Sequence, residues 1–251
     1  QYAISPRSSF TASGSYGILR FLDDGFIDST SEMFRGGYDY MLNAKDTIGF
    51  TYNFSRFNFG GQGSAVQNHA AQLAYGRRIT GRLALQLYGG PSFSRFENPA
   101  ASTKGEWDNS WSASALMRYQ LANVGISLSY LHGVSGGAGV FAGSERDEVR
   151  VGADRKLARQ LTGAVNFGYS HNAGLGQVQQ SNAFVPSNFR FNSWYGGTTL
   201  NRTIGRRLSL FFNYALERQD IGNSVCVSAA CGNTFLRHEL GLGLNWSLKA
   251  E

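Results

Sequence analysis

Residues 236–248 read Leu-Arg-His-Glu-Leu-Gly-Leu-Gly-Leu-Asn-Trp-Ser-Leu. Every second residue is apolar, with one histidine as the exception, and the residues between them are charged, polar or glycine. Because the side chains of a β-strand alternate between its two faces, the stretch predicts a strand with one apolar and one polar wall. Strands of soluble proteins are usually about 5–6 residues long. An alternating strand of about twice that length is long enough to cross a bilayer.

The composition of the whole chain agrees with membrane-spanning strands. Of its 251 residues, 16% are charged, 14% are aromatic and 32 are glycine. The charged fraction is low against the norm of about 25% in soluble proteins. The mean hydropathy is −0.26, and no apolar run approaches the roughly 18 residues of a membrane helix. Alternating strands explain why a membrane protein can have a mean hydropathy below zero and no long apolar run, because only half of their residues face lipid.

The same alternation recurs in twelve segments. They lie at approximately residues 8–20, 32–43, 47–58, 68–79, 83–96, 110–121, 124–134, 146–157, 161–172, 190–203, 208–220 and 235–248. Short connections such as 43–46 follow the even-numbered segments, and long loops such as 98–109 follow the odd-numbered ones. Bacterial outer-membrane barrels have an even strand number, tight periplasmic turns and long extracellular loops. The sequence therefore predicts one all-β domain over residues 1–251, a closed, antiparallel, up-and-down transmembrane β-barrel of about twelve strands.

The polar parity of these segments predicts what lines the barrel. Apolar positions such as Phe50, Leu85 and Leu210 are assigned outward, so the polar residues of the other parity face the lumen. The charged members of this inward set are the candidate lumen or constriction residues: Arg35, Asp39, Arg118, Glu148, Arg150, Asp154, Glu217, Arg237 and Glu239. Opposite charges on neighbouring strands either brace the interior by pairing or set a transverse field that biases selectivity. Both interpretations stay open.

The segment at 190–203 is less regular than the others. Phe191, Trp194 and Tyr195 do not fit a single apolar parity. A β-bulge places one extra residue in a strand and so moves the side chains beyond it to the other face. We therefore expect a bulge in this segment.

Cys226 and Cys231 lie in the last long loop and are the two cysteines of the chain. An oxidising periplasm or cell surface favours a disulfide between them. The loop that this disulfide would close is very small, so the bond should stiffen the loop tip more than it stabilises the barrel. Two thiols without further cysteines or histidines nearby do not suit zinc, and we expect neither a metal site nor a cofactor.

Two histidines lie within three residues of a serine in the sequence, which raises the question of a lipid-modifying hydrolase. The pairs are His132 with Ser135, and His171 with Ser170. Nucleophilic catalysis needs the serine hydroxyl within hydrogen-bond reach of the histidine, and a third group that orients the ring. Each pair falls on opposite strand parities, so the two side chains should diverge. We therefore expect no catalytic residue and no enzymatic activity.

The net charge of +6 does not by itself indicate a nucleic-acid partner. Many of the cations lie at separate short turns, among them Arg77, Lys156 and Arg206. Nucleic-acid binding needs a single basic face, which this distribution does not provide. At the start of the chain, Gln1 is not followed by the basic and apolar regions of a secretory signal. We expect that any signal has been removed.

These features resemble the bacterial outer-membrane β-barrel superfamily, and within it the porin-like barrels, some of which accompany exopolysaccharide export. The resemblance rests on the alternating strands, the alternating loop lengths and the stretch Leu240-Gly-Leu-Gly-Leu-Asn-Trp246. It implies an integral protein of the bacterial outer membrane, surrounded by lipid and lipopolysaccharide. The resemblance also implies contacts with other envelope proteins through the loops or turns. Strands of this kind typically finish on an aromatic residue, whereas residues 247–251 follow Trp246 here.

The leading functional prediction is a narrow porin-like channel for small polar solutes or ions. Twelve strands enclose a smaller lumen than the 16–18 strands of porins, so inward side chains could also seal it. The first alternative is accordingly a non-conducting structural or assembly component of an outer-membrane complex. The second alternative is a lipid-modifying outer-membrane enzyme.

We expect the protein to require detergent for its extraction and to give a far-ultraviolet circular dichroism spectrum of almost pure β-structure. The reason is that the chain shows strand alternation throughout and no helical period. Recovery of the protein in detergent-free buffer, or a clear helical signal, would contradict this expectation. Either result would favour a soluble β-sandwich or lipocalin-like barrel.

Overall fold

The computed structural model describes residues 2–20, 28–60, 64–97, 107–135, 144–174, 178–180, 183–185, 190–205, 208–221 and 234–246. Its strands are β1 (Tyr2–Ser5), β2 (Ser8–Leu19), β3 (Ser29–Met41), β4 (Asp46–Phe59), β5 (Ala65–Arg78), β6 (Leu83–Glu97), β7 (Trp107–Gln120), β8 (Val124–Ser135), β9 (Ser144–Ala158), β10 (Leu161–Gly174), β11 (Val178–Gln180), β12 (Ala183–Val185), β13 (Arg190–Ile204), β14 (Leu208–Ile221) and β15 (Thr234–Trp246). Within these described ranges, no helix is long and apolar enough to cross a membrane.

Each of the twelve predicted segments corresponds to one long strand, in β2–β10 and β13–β15. The sheet itself has thirteen strands, because the four-residue β1 pairs with the start of β2. This number corrects the prediction of about twelve, and the reason is that four residues are too few to show an alternating pattern. Strands β11 and β12 form a separate two-stranded hairpin within the connection from β10 to β13.

The strands follow one another in chain order across the sheet, and every neighbouring pair is antiparallel. This arrangement confirms the up-and-down topology. The two edges of the sheet are β1 and β15, so over the described residues the sheet is open and the predicted closure is not shown.

The bulge expected near residue 195 is absent, and that prediction was wrong. Strand β13 keeps one unbroken register with β10 on one side, and with β14 on the other from Phe191 to Ile204. The aromatic residues alternate normally, with Trp194 on the outer face and Tyr195 on the inner face. The irregular appearance of the sequence comes from two aromatic residues, Phe191 and Tyr195, that share the inward parity.

Short turns on one side of the sheet are stabilised by their own polar side chains. The Asn43 carboxamide oxygen accepts hydrogen bonds from the backbone N–H groups of Lys45 and Asp46, at 2.8 and 2.9 Å. The hydroxyl of Thr80 accepts the N–H groups of Arg82 and Leu83 in the same way, at 3.2 and 3.0 Å. Such side-chain caps replace the backbone partners that tight turns leave unsatisfied.

The two faces of the sheet reverse the pattern of a soluble protein. Large apolar side chains are exposed on one face, with Leu242 at 76% and Leu73 at 72% of their full accessibility. Serines on the other face are buried, with Ser170 at 0% and Ser92 at 1%. Soluble folds bury the apolar face and expose the polar one. The exposed apolar face is therefore suited to contact with lipid, and the polar face is the inner one.

The sheet curls around this polar face. Phe57 and Phe59 of β4 and Val66 of β5 form a buried apolar cluster on the inner side, and Val134 of β8 packs against it. In a flat sheet β5 and β8 would lie roughly 14 Å apart, since neighbouring strands are about 4.8 Å apart. Contact across that distance requires strong curvature.

We expect that Leu242→Arg, on the lipid-facing side of β15, blocks assembly into membranes far more than Gly241→Ser on the inner side. An arginine at the middle of the bilayer costs about 2–4 kcal/mol on the lipid face. A Cβ at Gly241 would lie 3.8 Å from the Cβ of Asn213, an ordinary contact. Gly243 is a poor control, because a Cβ there would overlap the Phe211 ring. Heat-modifiable migration after refolding into vesicles measures assembly, and equal tolerance of the two substitutions would contradict the assignment of the faces.

Candidate functional site

One row of residues crosses five adjacent strands on the inner face. Arg150 of β9 is paired with Gly168 of β10, and Gly168 is paired with Tyr195 of β13. The row continues from Tyr195 to Glu217 of β14 and ends at Arg237 of β15. Three of these five positions are among the predicted lumen residues, and the register brings them onto one line across the sheet.

A first group of charges, the β9 cluster, consists of Arg146, Glu148, Arg150 and Tyr195. The carboxylate of Glu148 lies 2.7 Å from Nη2 of Arg146 and 3.1 Å from Nη2 of Arg150. The Tyr195 hydroxyl donates a short hydrogen bond to Glu148 and accepts one from Nε of Arg150 at 3.1 Å. Glu148 is buried, and its two arginines offset the cost of removing its charge from water.

Gly168 makes this cluster possible. Tyr195 leans across the glycine from β13 toward β9, and a Cβ at residue 168 would overlap the tyrosine ring. Because of this inclination the ring lies beneath the Arg150 guanidinium, whose carbon is 5.0 Å from the ring centroid. The cation therefore has a hydrogen-bond partner and an aromatic face that hold its position.

A second group, the β15 cluster, consists of Glu217, Arg237 and Glu239. Nη2 of Arg237 lies 3.2 Å from the carboxylate of Glu217 and 3.0 Å from that of Glu239. Gln219 donates a hydrogen bond to Glu217 at 2.9 Å and fixes that carboxylate from its other side. The Arg237 and Glu239 side chains remain about half exposed, at 48% and 59%, so they are available to a solute.

Both clusters line the same cavity, whose volume is about 340 Å³. Between the clusters it is lined by uncharged residues, most of them small or polar: Asn166, Gly196, Gly197, Thr198, Thr199, Asn213, Tyr214, Ala215 and Leu216. The small residues of β10, β13 and β14 leave the space open, whereas the long charged residues of β9 and β15 border it. The arrangement can bind or orient a small polar solute.

The remaining predicted lumen residues lie elsewhere on the inner face. The Arg35 guanidinium of β3 stacks over the ring of Tyr88 of β6, 5.4 Å from its centroid. Asp39 borders a second cavity of about 350 Å³ near the short turns, together with Lys45 and Arg77. Arg118 is exposed on β7, and Asp154 of β9 is paired with Gly125 of β8. Over the described residues, none of these four forms an ion pair with the β9 or β15 cluster.

Sequence reasoning missed two members of the β9 cluster. Arg146 has the same parity as Glu148 and Arg150, so the alternation alone could have identified it. Tyr195 was not assigned to the inner face, because a bulge was expected in this segment. The absence of a side chain at Gly168, directly opposite Tyr195, is the feature that lets this tyrosine turn inward.

The histidine–serine pairs diverge as predicted. The Ser170 hydroxyl bonds to that of Ser193 at 2.8 Å on the inner face, whereas Nδ1 of His171 bonds to Asn192 on the outer face. Ser135 likewise bonds to Ser144. His132 instead lies 2.9 Å from Asp147 and is stacked on Trp111, with 4.0 Å between the ring centroids.

All four histidines of the chain lie on the outer wall near the ends of the strands that lead into the long loops. Tyr52 bonds to His69, and Tyr214 bonds to His238. Tyrosine, tryptophan and histidine at this level match the aromatic girdle expected at a membrane interface. The predicted disulfide partners Cys226 and Cys231 lie outside the described residues.

No protein-family model and no curated protein sequence matches the chain. Among solved structures, it is similar to a deltaS2 mutant of the TodX monoaromatic hydrocarbon channel, with a TM-score of 0.55 and 9% identity over 96% of this chain and 80% of that one. It is also similar to the FrpB iron transporter of Neisseria meningitidis, with a TM-score of 0.52 and 9% identity over 85% of this chain and 44% of that one. At these identities the likeness shows the fold. The chain has the fold of the bacterial outer-membrane β-barrel proteins, and its exposed apolar wall agrees with a location in the outer membrane.

Proposed function

We propose that the protein is a narrow channel for small polar solutes or ions, formed when its sheet closes into a barrel. The observation that carries the proposal is the charged cavity on the inner face, bordered by the β9 and β15 clusters. Half-exposed charged groups on the inner side of an apolar wall imply that water reaches the cavity. Lipid and lipopolysaccharide are the proposed surroundings of the outer wall, and other envelope proteins would contact the loops or turns.

Closure is supported by the chemistry of the sheet edges. Unpaired backbone N–H and C=O groups cost several kcal/mol each in hydrocarbon, so a membrane sheet has no stable open edge. Strand β15 runs antiparallel to β2, since the intervening strands alternate in direction. Strand β1 pairs with β2 through Ser8, Ser9 and Phe10, which leaves the edge of β2 beyond Phe10 for β15. Closure in this way gives a wall of twelve long strands.

The β9 and β15 clusters would form the constriction of this channel. Charged rings at a narrow point act on ions through their local field, which is stronger where low-dielectric walls confine it. The proposal includes no catalytic step, because the serine and histidine side chains of the pairs His132–Ser135 and His171–Ser170 bond to different partners.

A second candidate is a non-conducting component of an envelope complex. It is favoured by the buried cluster of Phe57, Phe59 and Val66, which fills part of the inner side near the long loops. Paired arginines and carboxylates could also brace the interior without passing any solute. A measurement of conductance in planar bilayers distinguishes the two candidates, because only the channel carries a current.

We expect that replacing Arg150 and Arg237 by glutamine, singly and together, moves the reversal potential of the purified protein in planar bilayers toward cation preference. Removal of two cations from the cavity leaves its carboxylates in excess. The shift should grow at low salt, because the screening length rises from about 10 Å at 0.1 M to about 30 Å at 0.01 M. Arg118→Gln is the matched control, since Arg118 is an inward cation that does not line this cavity. A wild-type protein that carries no current and admits no small sugar into liposomes would exclude the channel.

We expect Gly168→Ala to change the single-channel conductance while the barrel still assembles. The new Cβ displaces the Tyr195 ring, and that movement releases Arg150 and Glu148 from their shared hydroxyl. Gly241→Ala serves as the control, because its Cβ meets only ordinary contacts. Identical conductance in the two variants would show that the position of Tyr195 does not set the width of the path.

A further inference from the structure

We infer that the cavity between the β9 and β15 clusters selects small zwitterionic solutes, such as free amino acids, over uncharged or singly charged ones. This inference rests on the proposed channel function and specifies its solute class. It follows from the sign of the charge on each side of the cavity and from the uncharged floor between the two sides.

The side of the cavity on β9 carries an excess of positive charge. Arg146 and Arg150 face a single carboxylate, that of Glu148, so one cation is left over. Glu148 already takes part in three interactions with these arginines and Tyr195, and it is buried. Arg150 is the member that remains half exposed, at 49%. The unmatched positive charge is therefore presented to the cavity mainly by the Arg150 guanidinium.

The opposite side carries an excess of negative charge. Glu217 and Glu239 face a single cation, Arg237, so one carboxylate is left over. The Glu217 side chain is 24% exposed and is also held by Gln219, whereas the Glu239 side chain is 59% exposed. The unmatched negative charge is therefore presented mainly by Glu239.

The floor between the two sides is lined by residues without charge. Strand β9, which carries Arg150, is separated from β15, which carries Glu239, by β10, β13 and β14, a distance of roughly 19 Å along the sheet at about 4.8 Å per strand. The long side chains on both borders narrow the free gap on the concave face. Gly197, Thr199 and Asn213 line the space between, and they offer hydroxyl and amide groups without adding charge.

This distribution of charge discriminates between solutes. An anion is attracted by Arg150 and repelled by Glu239, and a cation experiences the reverse, so neither gains from both sides at once. An uncharged solute gains from neither. A zwitterion can place its carboxylate toward Arg150 and its ammonium group toward Glu239 and so gains from both. Electrostatic complementarity of this kind gives specificity more than affinity, as suits a site from which the solute must leave.

Swelling of proteoliposomes tests the inference with glycine and its uncharged isomer glycolamide, which have the same atoms and nearly the same size. We expect the wild-type protein to admit glycine about threefold faster than glycolamide, the scale of one or two weak exposed ion pairs. Glu239→Gln and Arg150→Gln should each lower this ratio to about one. Arg118→Gln should leave it unchanged, because that cation does not line the cavity.

The possible results separate the inference from the channel function on which it rests. Entry of neither solute would overturn the proposed function. Equal entry of both solutes into wild-type vesicles would overturn the inference and leave a channel in place. Because Glu239 is largely exposed, its substitution should not disturb folding, so a ratio that survives Glu239→Gln would also overturn the inference.

Discussion

The structure depends on the period-two alternation of side chains along strands that are long enough to cross a membrane. In hydrocarbon every backbone donor and acceptor must be paired within the protein, which only helices and closed sheets achieve. A sheet that meets this constraint has one face in lipid and one face inside. The strongly exposed Leu242 and the fully buried Ser170 represent these two environments. A shift of register by one residue would exchange them, so the alternation fixes the register of the whole sheet.

The arrangement of the inner face follows from pairs of small and large residues on neighbouring strands. Tyr195 can reach Glu148 and Arg150 only because Gly168 lies between them, and Phe211 covers Gly243 in a similar way. The large member of each pair fills the space that the glycine leaves. At the β9 cluster the rigid Tyr195 ring thereby holds Arg150 and Glu148 in position.

The sequence was sufficient to predict the long strands, their faces and most of the charged inner residues. The pairing of Arg237 with Glu217 and Glu239 could be anticipated because all three share the inward parity of β14 and β15. The strand β1 could not be predicted, since its four residues are too few to show an alternating pattern. Nor could the contact of Arg35, which stacks on Tyr88 three strands away because the curvature of the sheet brings β3 toward β6. Contacts that depend on curvature are not encoded in any single strand.

Thiol labelling along β15 distinguishes the lipid-facing from the inner face of the sheet residue by residue. Single cysteines at residues 237–242, in a protein whose Cys226 and Cys231 are replaced by serine, would be exposed in proteoliposomes to a small, charged, membrane-impermeant reagent. We expect rapid reaction at 237, 239 and 241, which lie on the polar inner face, and protection at 238, 240 and 242, which lie on the apolar outer face. Uniform reaction along the strand, or protection of the odd-numbered positions with reaction of the even-numbered ones, would contradict a wall that separates lipid from a polar lumen.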